Sequence, residues 1–405
     1  MAINRQEISG TIAIDDRQVY FDDLLADEAV FDLGAQGVLV LVGDDALDGV
    51  TIDGAGEARA LGPLAVDDGL TLEDGATFVN AAAATENGGE LTLDDSATLR
   101  NLSGATWTLA QGAGIAGTAG SRFVNFGLLQ QTGADDASTI SAAVYDHGTI
   151  DVEGQLDFSD DVTRLFGAVE GTGSVSADLV TLVGASISCA SFSATRARLL
   201  GDVQFATASA SFGALALADD TVAFHGDEST LGVGVIIGAG EIDFSGKTKL
   251  VANSPRTVVD VAVVNSGVLT VTSADDAYGV FFGGAETNLA GATWIDATPY
   301  SVSEGSSTFE NQGTFIEDGE GNLLNVDNDG LITLGTTTYL PDANSSPQYP
   351  SLGFGGLVSG TGTIDIGLGN VGVGYGSVEA GQTFAFTGTG FPYAPPTLTL
   401  DNAPS

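Results

Sequence analysis

The chain has 405 residues, 43% of them hydrophobic, with 11 lysines and arginines against 54 aspartates and glutamates and a formal net charge of −43. That charge repels phosphate backbones and anionic lipid, so nucleic acid and acidic membranes are excluded as partners, while cations are drawn in. The hydrophobic content excludes a disordered low-complexity chain, which lacks enough apolar surface to condense.

No apolar run approaches the eighteen or so residues of a transmembrane helix. Residues 1–8 carry no apolar core or cleavage site of a secretory leader. The expectation is therefore export by another route, or a chain that is a fragment. Cys189 is the only cysteine, so no intrachain disulfide forms, and its apolar neighbours predict a small buried thiol.

Residues 1–36 open with a strand over 8–14 and read as an N-terminal cap or first coil, because a bare strand edge recruits other chains. Val38 to Val42 are five apolar residues between glycines, which predicts a strand covered on both faces. A regular beat follows. Asp-Asp dipeptides begin at Asp22, Asp44, Asp67 and Asp94, with later ones at Asp135, Asp160, Asp219 and Asp275. An Asn-x-Gly phrase recurs at Asn125-Phe126-Gly127, Asn265-Ser266-Gly267, Asn311-Gln312-Gly313 and Asn328-Asp329-Gly330, with Asp146-His147-Gly148 as a variant. Asn101-Leu102-Ser103-Gly104-Ala105-Thr106-Trp107 is nearly repeated as Asn288-Leu289-Ala290-Gly291-Ala292-Thr293-Trp294.

Short Val, Ile, Thr, Leu and Phe runs cut by Gly, Asp and Asn are strand-and-turn composition, and glycine breaks nearly every helical window. The predicted fold is all-β: a parallel β-helix, or β-solenoid, with coils of roughly 20–27 residues and about seventeen coils. Asn at the bends is expected to tolerate the left-handed region and to stack its amide from coil to coil. A second bend, Gly-x-Gly at Gly171, Gly238 and Gly360, is expected to use glycine at positive φ. The solenoid spans 37–338, with tighter Ala/Ser-rich coils between about 176 and 235. Residues 339–351 hold three prolines and read as a loop or linker. C-terminal coils occupy 352–405.

The phrase Ala76-Thr77-Phe78-Val79-Asn80 and its Asn-x-Gly-x-Leu-x-Val relatives resemble the β-strand repeats of bacterial autotransporter passenger domains and related large secreted adhesins. The resemblance implies a right-handed parallel β-helix at the bacterial cell surface. The tail, over 378–387 and 397–405, resembles a repeat unit common in proteobacterial surface proteins, where the pattern continues further. It implies a chain ending inside a unit.

Calcium is the first chemistry to weigh, since carboxylates repeating on every coil supply oxygen ligands. The candidates are Asp44, Asp45, Asp67, Asp68, Asp94 and Asp95, with solvated turns as the alternative. The tandem Gly-Gly-x-Gly-x-Asp calcium repeat is missing, and Asp327-Asn328-Asp329-Gly330 is out of frame for an EF-hand. A polysaccharide-cleaving β-helix needs converging carboxylates or a basic clamp. The basic cluster available is Lys247, Lys249 and Arg256. His147 falls where other coils carry Asn and reads as a turn residue. Gly367-Leu368-Gly369-Asn370-Val371-Gly372 spells a dinucleotide-binding fingerprint without the helix that motif requires. Trp107 and Trp294 read as coil-filling residues. No catalytic or cofactor-binding residue is assigned. The expected function is a non-enzymatic extracellular scaffold, adhesin or filament subunit, with self-association or other surface proteins and glycans as partners. The alternatives are a polysaccharide lyase or hydrolase and a trimeric, tail-spike-like receptor binder.

Overall fold

The structure, a computed structural model, describes residues 6–160, 162–254, 256–274, 279–298, 300–303, 308–323, 325–335, 350–367, 370–373, 377–379, 381–387 and 397–400. These form a parallel β-solenoid of about 17 turns, without helix. The chain splits into two compact units, Met1–Ala197 and Arg198–Ser405. Most of the predicted loop at 339–351 lies outside the described residues; its end enters the strand Ser351–Phe354, which pairs with Glu320–Leu323.

In the middle of the first unit each coil has three strands, and each strand pairs with the strand three places on. Thr98–Asn101, Thr106–Ala110 and Gly114–Gly117 thus sit under Arg122–Asn125, Leu128–Gln131 and Ala137–Ile140. Neighbouring coils lie ~4.8 Å apart, the spacing of paired strands. Alternation along each strand sends one set of side chains inward, so apolar columns form. Ala58, Phe78, Leu99, Phe123 and Val144 make one column, and Ala84, Trp107, Leu129, Ile150 and Val169 make another. All ten are buried. In the second unit Leu269, Trp294, Phe315, Ile332 and Ile364 stack in the same manner. Trp107 and Trp294 are 0% and 2% exposed, so both fill coils. Cys189 is buried as well, and burial pushes its thiol up to about 11.

Coil length varies more than the sequence beat implies. Successive ladder asparagines are 21 and 24 residues apart in the first unit, and 23 and then 17 in the second. The range of 20–27 is therefore too narrow at both ends, since the coil from Asn325 to Leu357 takes 32 residues. Tightening occurs where a corner loses its loop residues, as between Phe309 and Val326.

The asparagines of the Asn-x-Gly phrases, together with Asn80, Asn101 and Asn288, form the predicted ladder. Asn80 Nδ2 donates to Asn101 Oδ1 at 2.8 Å, Asn101 to Asn125 at 2.8 Å, and Asn125 to Asp146 Oδ1 at 2.6 Å. In the second unit Asn265, Asn288, Asn311 and Asn328 repeat the chain at 2.9, 2.8 and 2.8 Å. The second proton of each amide goes to a backbone carbonyl, that of Thr106, Leu128 or Thr149 in turn. All eight ladder residues are 0% exposed. None of these asparagines has positive φ. They are chosen for the amide, and the expected left-handed role is not theirs. That role falls to Asp23, Glu28, Asp68, Asp74, Asp95, Ser96 and Gln111.

The Gly-x-Gly bends do use positive φ, at 115° for Gly171, 144° for Gly238 and 93° for Gly360. Gly171 is required twice over, because a Cβ there would also strike the Val152 backbone of the previous coil.

Replacing a ladder residue orphans buried partners on both sides. Asn101→Ala is expected to cost roughly 2–4 kcal/mol, from lost hydrogen bonds and a cavity. Ser103→Ala, on the exposed side of the same bend, should stay within about 0.5 kcal/mol. Urea melts of the two variants check the contrast.

Candidate functional site

The ladder corner holds one continuous file of buried polar side chains in the first unit. Its inner column runs Leu41, Ala60, Asn80, Asn101, Asn125, Asp146, Leu165. It is therefore Asp146 that takes the asparagine position. His147 stands one residue beyond, on the exposed side, and this corrects the placement of His147 by one. Its imidazole stacks between Phe126 and Phe166, with centroids at 5.2 and 4.3 Å and interplanar angles of 9° and 11°.

Asp146 ends the ladder. Its Oδ1 accepts from Asn125 and from the Gly148 amide, while Oδ2 is buried without a hydrogen-bond partner. Burial raises its pKa to about 6, against the lowering effect of those two donors. Glu86 is a second inward carboxyl, beside Trp107, whose Nε1 lies 3.4 Å from Glu86 Oε2. Burial pushes it to about 8. In the second unit Glu317 is fully buried. Its Oε1 accepts from the Gly319 amide at 3.0 Å and its Oε2 has no hydrogen-bond partner. Burial, and then the charge of Asp296 on the preceding coil, raise its pKa well above the usual carboxyl range. These acids lie at alternating inward positions, where a hydrophobic residue is the usual occupant. The signal available in the sequence was their phase within the strand.

The six candidate calcium carboxylates fall into different surroundings. Asp44 is exposed, and its backbone amide donates to Asp23 Oδ1. Asp45 is 3% exposed; its Oδ1 accepts from the Leu24 amide at 2.7 Å and its Oδ2 is unpartnered. Burial raises its pKa, and Asp23 and Asp22 add to this. The solvated-turn reading therefore does not describe Asp45. Asp67 and Asp68 lie within the strand Leu64–Leu72, with Asp68 at φ 53°. Asp67 accepts from Asn87 Nδ2 at 3.0 Å. Asp94 and Asp95 occupy a bend, and Asp95 N donates to Thr118 Oγ1. Among the described residues no group of three or more acidic, histidine or cysteine side chains is arranged to hold a metal ion. Of the six, Asp67 stands in a file with Asp48 and Asp27 on the preceding coils.

The basic cluster of the second unit is more open. Lys247 pairs with Glu228 at 2.9 Å, both side chains exposed. Arg256 lies over the Phe281 ring at 4.8 Å. Lys247 and Lys249 line a groove of about 330 Å³ with Glu228, Ser229, Thr230, Thr248 and Thr270. The glycine fingerprint over 367–372 leads into a strand, Asn370–Val373, paired with Ser351–Phe354, so among the described residues there no helix N-terminus is present to hold a phosphate.

No family model matches the chain, and comparisons with curated proteins and with solved structures likewise find no match.

The buried acids set the direction of the pH response. A carboxyl whose folded pKa lies above its unfolded value binds its proton more tightly in the folded state, so stability falls as pH rises. For Asp146 the fall spans its ordinary 3.8 to about 6, and for Glu86 its ordinary 4.5 to about 8. The chain should thus lose stability between pH 4 and 8. Asp146→Asn supplies an amide that needs no ionisation. It removes the buried charge but leaves an amide proton facing Leu165, so it is expected to flatten the lower half of the profile and to raise stability at pH 8 by only about 1–2 kcal/mol. Urea titrations at several pH values give the comparison; an unchanged slope would mean that Asp146 does not titrate in this range.

Proposed function

We propose that this is a non-enzymatic structural or adhesive protein of a bacterial cell surface, a β-solenoid serving as scaffold, adhesin or filament subunit. The observation that carries the reading is the filing of chemically active side chains into columns. Asp27, Asp48 and Asp67 follow one another coil by coil, and so do Asn80, Asn101 and Asn125. A catalytic pair has to converge on one reacting bond at a fixed separation, whereas a column presents the same group repeatedly to an extended partner. The Asn-x-Gly phrases that resemble autotransporter passengers and secreted adhesins support a surface location. Calcium, in this reading, is a diffuse counter-ion of the aspartate columns.

One observation favours an enzymatic reading, a polysaccharide-active β-helix. The groove offers Lys249 and several hydroxyls to an acidic sugar, with Lys247 already paired to Glu228 at its edge. The net charge of −43 opposes the approach of such a polymer.

Protease treatment of intact cells, followed by detection of the chain, tests the location. The surface reading expects cleavage without lysis, and protection until lysis would sink it. Incubation with acidic and neutral polysaccharides is expected to leave polymer length unchanged. Depolymerisation lost in Lys249→Ala would establish the enzyme instead. Melting in EDTA should match melting in calcium within about 2 °C, since a diffuse ion adds little linkage stabilisation.

A further inference from the structure

One face of the first unit runs against the overall charge of the chain. It is built from Glu57–Ala60, Thr77–Asn80, Thr98–Asn101, Arg122–Asn125, Ala143–Asp146 and Thr163–Leu165, stacked in register. Their outward side chains include Arg59, Arg100, Arg122 and Arg164, all exposed. The outward acid on these six strands is Glu57, which pairs with Arg59; Asp146 points inward and is buried. In a chain with 54 acids and 11 bases, four arginines against one glutamate is a reversal of local charge. Arg164 also lies 5.5 Å from the Tyr145 ring centroid.

Beside this face runs an apolar ridge. Backbone hydrogen bonds place Leu61, Ala81, Leu102, Phe126, His147 and Phe166 directly above one another, each amide donating to the carbonyl of the preceding coil. Leu61 is 50% and Phe126 40% exposed. The bend itself does not require apolar residues. In the second unit the residues after Asn265, Asn288, Asn311 and Asn328, at the same step of the ladder, are Ser266, Leu289, Gln312 and Asp329. A ridge that folding does not demand, flanked by the acid-poor face, marks a surface that meets something.

The complementary surface is on the same unit. Asp27, Asp48 and Asp67 form an outward file, with Glu28 and Asp68 beside it, and Asp32 pairs in register with Asp53. Some burial and then the neighbouring Asp68, Asp27 and Asp67 charges raise the pKa of Asp48, a sign of like charges crowded together. Both surfaces rise one coil at a time, at ~4.8 Å per coil. A partner with the same repeat meets several charges at once, and a second solenoid has that repeat by construction.

We propose that copies of this chain associate side by side, the arginine and apolar-ridge face of one copy seating on the aspartate files of the next. The two surfaces are different patches, so the contact is heterologous and need not close, which allows open arrays. This deepens the scaffold reading above by naming the partner and the two faces. Its failure is separable from that reading, because surface exposure of the chain does not depend on it.

The test is sedimentation velocity of the full chain over a concentration series, at low ionic strength and at about 0.5 M salt, where exposed charges are screened. Association is expected at low salt and should weaken at high salt. Arg100→Glu combined with Arg122→Glu should weaken it by about tenfold or more. Phe126→Ser should weaken it without changing its salt dependence. Mixing the double glutamate variant with an Asp48→Lys, Asp67→Lys variant should restore it. Circular dichroism melts of each variant separate loss of contact from loss of fold. A single-chain mass under all conditions would overturn the proposal, as would association that survives both sets of variants. So would a monomer whose arginine face binds polygalacturonate in an Arg100-dependent manner, since the partner would then be an acidic glycan.

Discussion

A buried polar atom in a stack of coils can be matched only from its own bend, from the coil before or from the coil after. That constraint organises the corner column. An amide accepts from one side, donates to the other and gives its remaining proton to a carbonyl, so a run of asparagines is satisfied throughout its length. The difficulty is at the ends of a run. In the first unit the start is closed locally, with Asn80 Oδ1 receiving the Ala82 amide. At the other end the next residue is Leu165, which accepts nothing. Aspartate at 146 meets this, because it accepts from Asn125 and has no amide proton left to place. What remains is one unpartnered oxygen, Oδ2, and that is why burial moves its titration. The second unit closes its ladder differently. Asn328 donates to Gln382 Oε1 at 3.0 Å, and Gln382 Nε2 returns bonds to the carbonyls of Asn328 and Ser359.

The same column can also be filled without polar atoms. Before Asn265 it carries Phe205, Phe224 and Phe244, with ring centroids 4.9 and 5.6 Å apart. Amide ladder and aromatic stack are two solutions to one geometric demand: a side chain must be compatible with its own copy one coil away. Mixed neighbours are where unsatisfied groups collect. Glu86 in the first unit sits between Val66 and Leu109, and it is the carboxyl raised to about 8.

This explains which features the sequence carries openly. Asn-x-Gly is legible because the ladder needs the same residue at successive turns, and the Gly-x-Gly bends are legible because positive φ narrows the choice to glycine. The beat itself is less secure, since a corner can shed residues without disturbing the strands, as between Asn311 and Asn328. Burial of single acids is harder to read. Asp44 and Asp45 are identical in type and adjacent, yet one is exposed and the other buried, because strand phase begins between them. Asp67-Asp68-Gly69 resembles a turn and is instead a left-handed irregularity inside a strand, where the register to Asp45–Asp53 shifts. The phrase Asp146-His147-Gly148 aligns Asp146 with the asparagines, and Asp146 does pair with Asn125, which leaves His147 outside the ladder on the exposed side.

Outward positions obey the stacking rule more loosely, since water can satisfy each coil separately, and there the two units diverge. The residues beside the ladder are apolar in the first unit, apart from His147 stacked between two phenylalanines, and mostly polar in the second, although the inner asparagines are alike. From Thr257 to Ser405 there is no lysine or arginine at all, whereas four of the 11 basic residues stand on six stacked strands of the first unit. A solenoid core demands inward columns but not outward ones. An outward column that mixes cations and apolar side chains against so strong an overall charge therefore carries information that the fold does not supply.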